Sequence, residues 1–228
     1  MKSKQQLNKG KFLNKFNRKQ KILLIILVII LIIEIILITH KVFIKYILVE
    51  EELQTIETEP KDKLENYNYY LNNNATQYEE ELFNELKETL SKEPIVEEQY
   101  ATILAKLFIS DLFTLNNKKS SSDITSSQYI YDNYQEMYET IIKDTIYSNI
   151  ELDLNGKRIQ SLPIVTNVEV TSIKRESFSL GDEILDSQAY HITVNITYKK
   201  DLNYPTTYKL IMIKNNNLLQ IVKTGEEI

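Results

Sequence analysis

Residues 190–198, YHITVNITY, alternate without a break: Tyr190, Ile192, Val194, Ile196 and Tyr198 share one side, and His191, Thr193, Asn195 and Thr197 the other. A period of two in β-branched and aromatic residues predicts a half-buried antiparallel strand, apolar side to the core and polar side to solvent. Such a strand needs neighbours. Downstream, TYKLIMIKNNNLLQIVK (207–223) reads as a hairpin closed by Asn215, Asn216 and Asn217. Both of its faces are apolar, so helices are expected on one and further cover, a partner included, on the other. Upstream, 164–177 is expected to be a longer strand. Ile150, Leu152 and Leu154, alternating with Glu151 and Asp153 ahead of Asn155-Gly156, predict a short strand and a turn.

Before Asn149 the period becomes helical. A helix is expected near 61–72, ended by Asn72, Asn73 and Asn74. Tyr78, Leu82, Leu86 and Leu90, with Phe83 beside them, make 76–91 an amphipathic helix. Pro94 suits a first helical turn with Glu97 and Glu98 near the positive helix end. From there Val96, Tyr100, Ile103, Leu104, Leu107, Phe108, Leu112 and Leu115 form the strongest helical stripe outside the N-terminal run, which places this helix at the centre of the core. The loop NNKKSSSDITSS (116–127) offers Ser126 or Ser127 as the cap of a last helix whose apolar face reads Ile130, Tyr134, Met137, Tyr138, Ile141 and Ile142. Helices followed by an antiparallel meander predict an α+β domain, with three to four helices packed on a curved, cone-like sheet of four to five strands.

The N-terminal part is of another kind. ILLIILVIILIIEIILI (22–38) is aliphatic but for Glu34, and residues 1–21 carry eight Lys/Arg and no acid. Seventeen residues at about 1.5 Å each approach the ~30 Å of a hydrocarbon layer, and Val42, Phe43 and Ile44 extend the apolar surface. No small-residue cleavage site follows in THKVFIKY, so an uncleaved anchor is expected rather than an export signal. The basic flank sets the N-terminus in the cytoplasm and the rest outside the cell membrane. The expected plan is a basic tail (1–21), a transmembrane anchor (22–44), a stalk (45–60) and an extracytoplasmic domain (61–228). Glu34 is then either a contact to a partner helix or a carboxylate near the interface.

Residues 42–228 hold 18 basic and 31 acidic side chains, so the exported part is acidic and unsuited to nucleic acid. The partners expected are membrane lipid and other envelope proteins, a homo-oligomer among them. With no cysteine and two histidines, His40 and His191, in no metal-ligand spacing, neither a metal nor another cofactor is expected. Asp111, three and four residues after Phe108 and Leu107, is the one acid on an apolar helix face, a candidate pocket acid or a satisfied core carboxylate. Tyr129, Tyr131, Tyr134 and Tyr138 are candidate contact aromatics if they stand exposed in a row.

A basic tail, one span, a helical stalk, several helices and a closing meander resemble, in order of elements over most of the chain, the VirB-eight-type assembly factors of type IV secretion and their Gram-positive conjugation counterparts. That resemblance implies a nuclear-transport-factor-two-like cone fold outside the membrane and a non-enzymatic role in holding a membrane machine together. The Asn-Pro-x-Gly signature of the Gram-negative members is absent, the nearest stretch being NYPT (203–206), so no site residue carries over. The competing expectations are a small-molecule or enzymatic pocket in the concavity of such a cone, and an extracytoplasmic sensor.

Overall fold

The computed structural model describes residues 17–55, 60–153 and 155–226. Two compact units divide the chain between Thr58 and Glu59. Among its described residues the first contains one helix, α1 (Arg18–Thr55), 38 residues long. Thr39 closes back onto it, its Oγ1 donating to the carbonyls of Ile35 (2.9 Å) and Ile36 (3.0 Å). Glu34 is exposed on α1 among exposed isoleucines. Side chains are continuously described over 26–40, and among the described residues no helix is long and apolar enough to cross a membrane. The expected tail lies outside the described residues up to residue 16, as do the side chains of 41–55.

The second unit is α+β. Its sheet is an antiparallel meander in the order β3 (Val165–Leu180), β4 (Glu183–Tyr198), β5 (Thr207–Asn215) and β6 (Leu218–Gly225). The expected alternation holds in β4: Tyr190, Ile192, Val194 and Ile196 are buried, while His191 and Thr193 are half-buried and Asn195 and Thr197 exposed. Register shifts along the β3–β4 pair place an extra residue on β3 at Val170/Ser172 and on β4 at Glu176/Phe178, and bulges of this kind bend and twist a strand pair. Both faces of the β5–β6 hairpin are covered from within the chain. Leu210, Met212, Leu219 and Ile221 enter the main core, whereas Ile211 and Ile213 are buried with Ala189 under Tyr131, Phe178 and Val222.

Three helices complete the unit. α2 (Gln77–Leu90) opens with a capping box: Thr76 Oγ1 accepts from the Glu79 amide, and the Glu79 carboxylate accepts from the Thr76 amide. Its Leu82, Phe83 and Leu86 turn inward, while Glu81, Glu85 and Glu88 remain exposed. α3 (Glu97–Phe113) is the centre of the core. Of the expected stripe, Val96 is exposed and Tyr100 to Leu115 are buried; Ala101, Ala105, Ile109 and Phe113 are buried as well, since α2, β3, β4 and the 125–129 turn enclose the helix on several sides. Pro94 precedes the first turn instead of occupying it, in a cis peptide with Glu93, and Val96 is the N-cap residue.

Three expectations fail. The helix near 61–72 is a hairpin of β1 (Asp62–Leu64) and β2 (Tyr69–Leu71), turned at Asn68 in the left-handed region (φ 55°). Tyr69 and Leu71 reach the core from alternate positions of a strand, and Gln128 Oε1 accepts from the Tyr70 amide at 2.8 Å. The last helix, α4 (Gln135–Asp144), begins later than Ser126 or Ser127 would set it. Ser126 is buried with its hydroxyl bonded to that of Tyr138 (2.8 Å), and Ile130 forms a parallel bridge to Ile221 while the Tyr131 amide donates to the Ile221 carbonyl, covering the β6 edge. Residues 150–153 form no strand, and Leu154 lies outside the described residues. Side chains take up the backbone groups there: Gln160 Oε1 accepts from the Glu151 amide (3.0 Å) and Arg158 donates to the Glu151 carbonyl (3.1 Å). At the expected turn the chain bends at Asn155 and Gly156, with Gly156 at φ 66°.

Candidate functional site

Asp111 lies on α3 among Leu107, Phe108 and Leu112, and the elements that enclose the helix bury it. The loop after α3 reverses and returns Lys118 to it. The two form an ion pair with side chains 9% and 2% exposed, and Thr125 Oγ1 donates to the same carboxylate oxygen, Oδ1, at 2.6 Å. Glu79 of α2 is the third buried charge. Its carboxylate accepts from the Thr76 amide (2.7 Å) and from Ser110 Oγ (3.2 Å).

Electrostatics rank these groups. Burial raises the Glu79 carboxyl first, the nearby Asp111 charge raises it further, and Lys118 and the Thr76 donors oppose both. Burial by itself would favour loss of the Lys118 proton, but the Asp111, Asp123 and Glu79 carboxylates hold the ammonium well above its ordinary range. Lys118 is therefore a fixed cation and no amine nucleophile. Asp111 Oδ1 is engaged, while Oδ2 has no hydrogen-bond partner among the described residues; nor has Gln128 Nε2. Both residues line a cavity of about 10 Å³ with Glu79, Tyr70 and Tyr129. That volume suits one water and no organic substrate.

The expected aromatic row does not stand exposed. Tyr129 and Tyr138 are buried, 2% and 8% exposed, and Tyr131 and Tyr134 are half-buried with rings edge-to-face at 5.4 Å. Tyr147 is fully buried and donates to the Asp111 carbonyl (3.3 Å).

A larger depression, about 480 Å³, lies between the α2–α3 connection and the β5–β6 turn, lined by Tyr67, Leu90, Pro94, Tyr100, Lys214 and Leu219 among others. Beneath it three groups close a hydrogen-bonded ring: the Leu219 amide donates to Tyr100 OH (3.2 Å), Tyr100 OH to Tyr69 OH (2.6 Å), and Tyr69 OH to the Leu219 carbonyl (2.9 Å). Burial pushes the Tyr100 phenol up to about 12, so it stays protonated at neutral pH. At the rim Glu97 pairs with both Lys214 and Arg175, whose guanidinium lies 4.3 Å from the centre of the Tyr190 ring. Nothing in the local sequence marks this place, because its lining comes from segments up to 150 residues apart.

Among the described residues no group of three or more His, Cys, Asp or Glu side chains could hold a metal ion. Comparison with protein-family models, curated proteins and solved structures finds no match for this chain.

Proposed function

We propose that this chain is a single-pass, membrane-anchored interaction protein whose α+β domain stands outside the cell membrane, an assembly component of a conjugation or secretion apparatus of the VirB-eight type. The apolar run 22–38 with its basic flank supports the anchor. The observation that carries the interaction role is the use made of the domain's interior. The helix side of the sheet is filled by Tyr190, Ile192, Val194, Leu210 and Met212 against α3, and the buried acid Asp111 is tied to Lys118. An enzyme of this architecture would instead keep an open concavity with convergent polar groups. Glu34, a carboxylate within the apolar run, supplies a handle for a neighbouring helix.

The chain has no cysteine, so single introduced cysteines report topology cleanly. Ser3→Cys and Ser177→Cys variants are expected in the carbonate-resistant membrane fraction, with Ser177→Cys alone labelled by an impermeant maleimide on intact cells. Photocrosslinkers on the domain surface are expected to capture other envelope proteins or a second copy, and Glu34→Leu to weaken that capture. A chain found in the soluble fraction, or labelled with the opposite polarity, overturns the anchor. Crosslinkers that capture nothing overturn the assembly role.

The 480 Å³ depression beside Tyr67 and Tyr100 favours a second reading, a small-ligand or sensor domain. Its test is substitution of Tyr67: Tyr67→Ala would abolish ligand-dependent stabilisation of the domain while leaving crosslinking intact.

A further inference from the structure

The strand register gathers four cationic or ionisable side chains on the sheet face turned away from the helices. Lys174 pairs with His191, His191 with Ile211, and Ile211 with Lys223, which makes one row across β3, β4, β5 and β6. In the adjacent row Ser172 pairs with Thr193 and Thr193 with Lys209. The intervening residues Ile192, Val194 and Leu210 enter the helix-side core, so both rows face outward. Neighbouring strands lie ~4.8 Å apart, so Lys174 and Lys209, two strands apart, flank His191 from either side and their long side chains can reach the space over it.

Lysines gathered on one face repel one another where no counter-charge stands among them. Among the described residues Lys174, Lys209 and Lys223 have no ion pair, although the domain as a whole is acidic. The row surrounds a depression of about 160 Å³ lined by Ser172, Lys174, Glu176, His191, Thr193 and Lys209 among others. Glu176 is the one acid in that lining, against two lysines. His191 Nε2 is buried there with no hydrogen-bond partner. Two ammonium groups and two hydroxyls around one concavity, beside an unpartnered imidazole nitrogen that donates in the Nε2–H tautomer, are a donor set lacking its acceptor.

We propose that this face carries a site for a phosphate-class oxyanion, held by Lys174 and Lys209, oriented by His191 Nε2 and by the Ser172 and Thr193 hydroxyls, with Lys223 as a flanking charge. A tetrahedral anion presents several acceptors at once, which matches donors arriving from three strands and offsets the lysine repulsion. The chemistry is shared by free phosphate and by the phosphomonoester headgroup of a lipid. An anchored domain meets both.

The test uses the full chain in maltoside micelles, titrated with inorganic phosphate and, separately, with dihexanoyl phosphatidate below its micellar concentration. The only histidines are His40 and His191, so histidine-selective NMR reads the site directly. The His191 ring signal is expected to move saturably while that of His40 does not. Lys174→Gln and Lys209→Gln should each weaken binding about ten- to hundredfold, the effect of losing one charged hydrogen bond, and Lys143→Gln on α4 should leave it unchanged. Tighter, lysine-dependent binding of phosphatidate would assign a lipid headgroup, and equal or weaker binding a free phosphate. A His191 signal indifferent to both probes, or variants that bind like the parent chain, would overturn the site.

Discussion

Lys118 and Asp111 face each other inside the domain as an ion pair almost closed to solvent, with Glu79 as a second acid nearby. Removing the cation leaves two buried carboxylates without a counter-charge. Lys118→Met, which preserves most of the volume, is expected to cost about 3–5 kcal/mol in urea unfolding at pH 7. The double variant Asp111→Leu/Lys118→Met should recover most of that loss, because two apolar groups replace two desolvated charges. A Lys118→Met chain within about 1 kcal/mol of the parent would show that the pair is not what holds this interior together.

Glu97 carries the acid dependence of the opposite end. Hydrogen bonds from Lys214 and then Arg175 hold its carboxyl below the ordinary range. As pH falls, the unfolded chain takes up the proton first. The stabilisation is therefore complete above the ordinary glutamate value of about 4.3 and is lost as pH falls through the lowered one. Glu97→Gln should change the neutral-pH unfolding midpoint little, the pair being partly exposed, and should flatten the fall in stability as pH drops below about 4.3. Asp62, lowered chiefly by Lys87, acts with the same sign and leaves part of the slope in place. Glu79, raised by burial, acts with the opposite sign, losing stability as pH rises through its folded value. An unchanged acid limb in Glu97→Gln would exclude the rim pair as its source.

β4 and α3 could be read from the chain because a single burial face imprints its own period, two in YHITVNITY and 3.6 from Tyr100 to Leu112. The 61–72 and 125–134 segments could not. Their conformations are fixed by partners far along the chain, Gln128 for the Tyr70 amide, Tyr138 for Ser126 and Ile221 for Tyr131. The buried site was half legible on the same grounds. Asp111 stands out among Leu107 and Phe108, but Lys118 sits in NNKKSSS, a stretch whose composition promises solvent, and only the chain reversal carries it inside. The outward row of Lys174, His191 and Lys223 depends on register, which no local pattern sets once bulges intervene.

The β5–β6 turn offers a local check. Asn216 takes a left-handed conformation (φ 57°), which asparagine and glycine tolerate and β-branched residues do not. Asn216→Gly is expected within about 0.5 kcal/mol of the parent, and Asn216→Val to lose about 1–2 kcal/mol, both read from urea midpoints. Equal stability of the glycine and valine variants would mean that the turn relaxes to another geometry.

The Tyr69–Tyr100–Leu219 ring joins β2, α3 and β6, three elements with no local reason to meet, through one closed set of donors and acceptors. Its members are not equivalent. Tyr69→Phe strands the Leu219 carbonyl and leaves the Tyr100 hydroxyl proton without its acceptor, whereas Tyr100→Phe strands the Leu219 amide and removes the donor to Tyr69. Each is expected to cost about 1–3 kcal/mol, the range for leaving a buried polar group unpaired. The double variant should cost less than the sum of the singles, since the Tyr69–Tyr100 bond is broken in both, with a coupling of about 0.5–3 kcal/mol in a double-mutant cycle. Hydrogen exchange separates the two ends: Tyr100→Phe should speed exchange of the Leu219 amide, because its acceptor is gone, and Tyr69→Phe should do so far less. Strict additivity, with no change in Leu219 exchange, would mean that the two hydroxyls act independently and that β6 is held by its pairing with β5 and by Tyr131 alone.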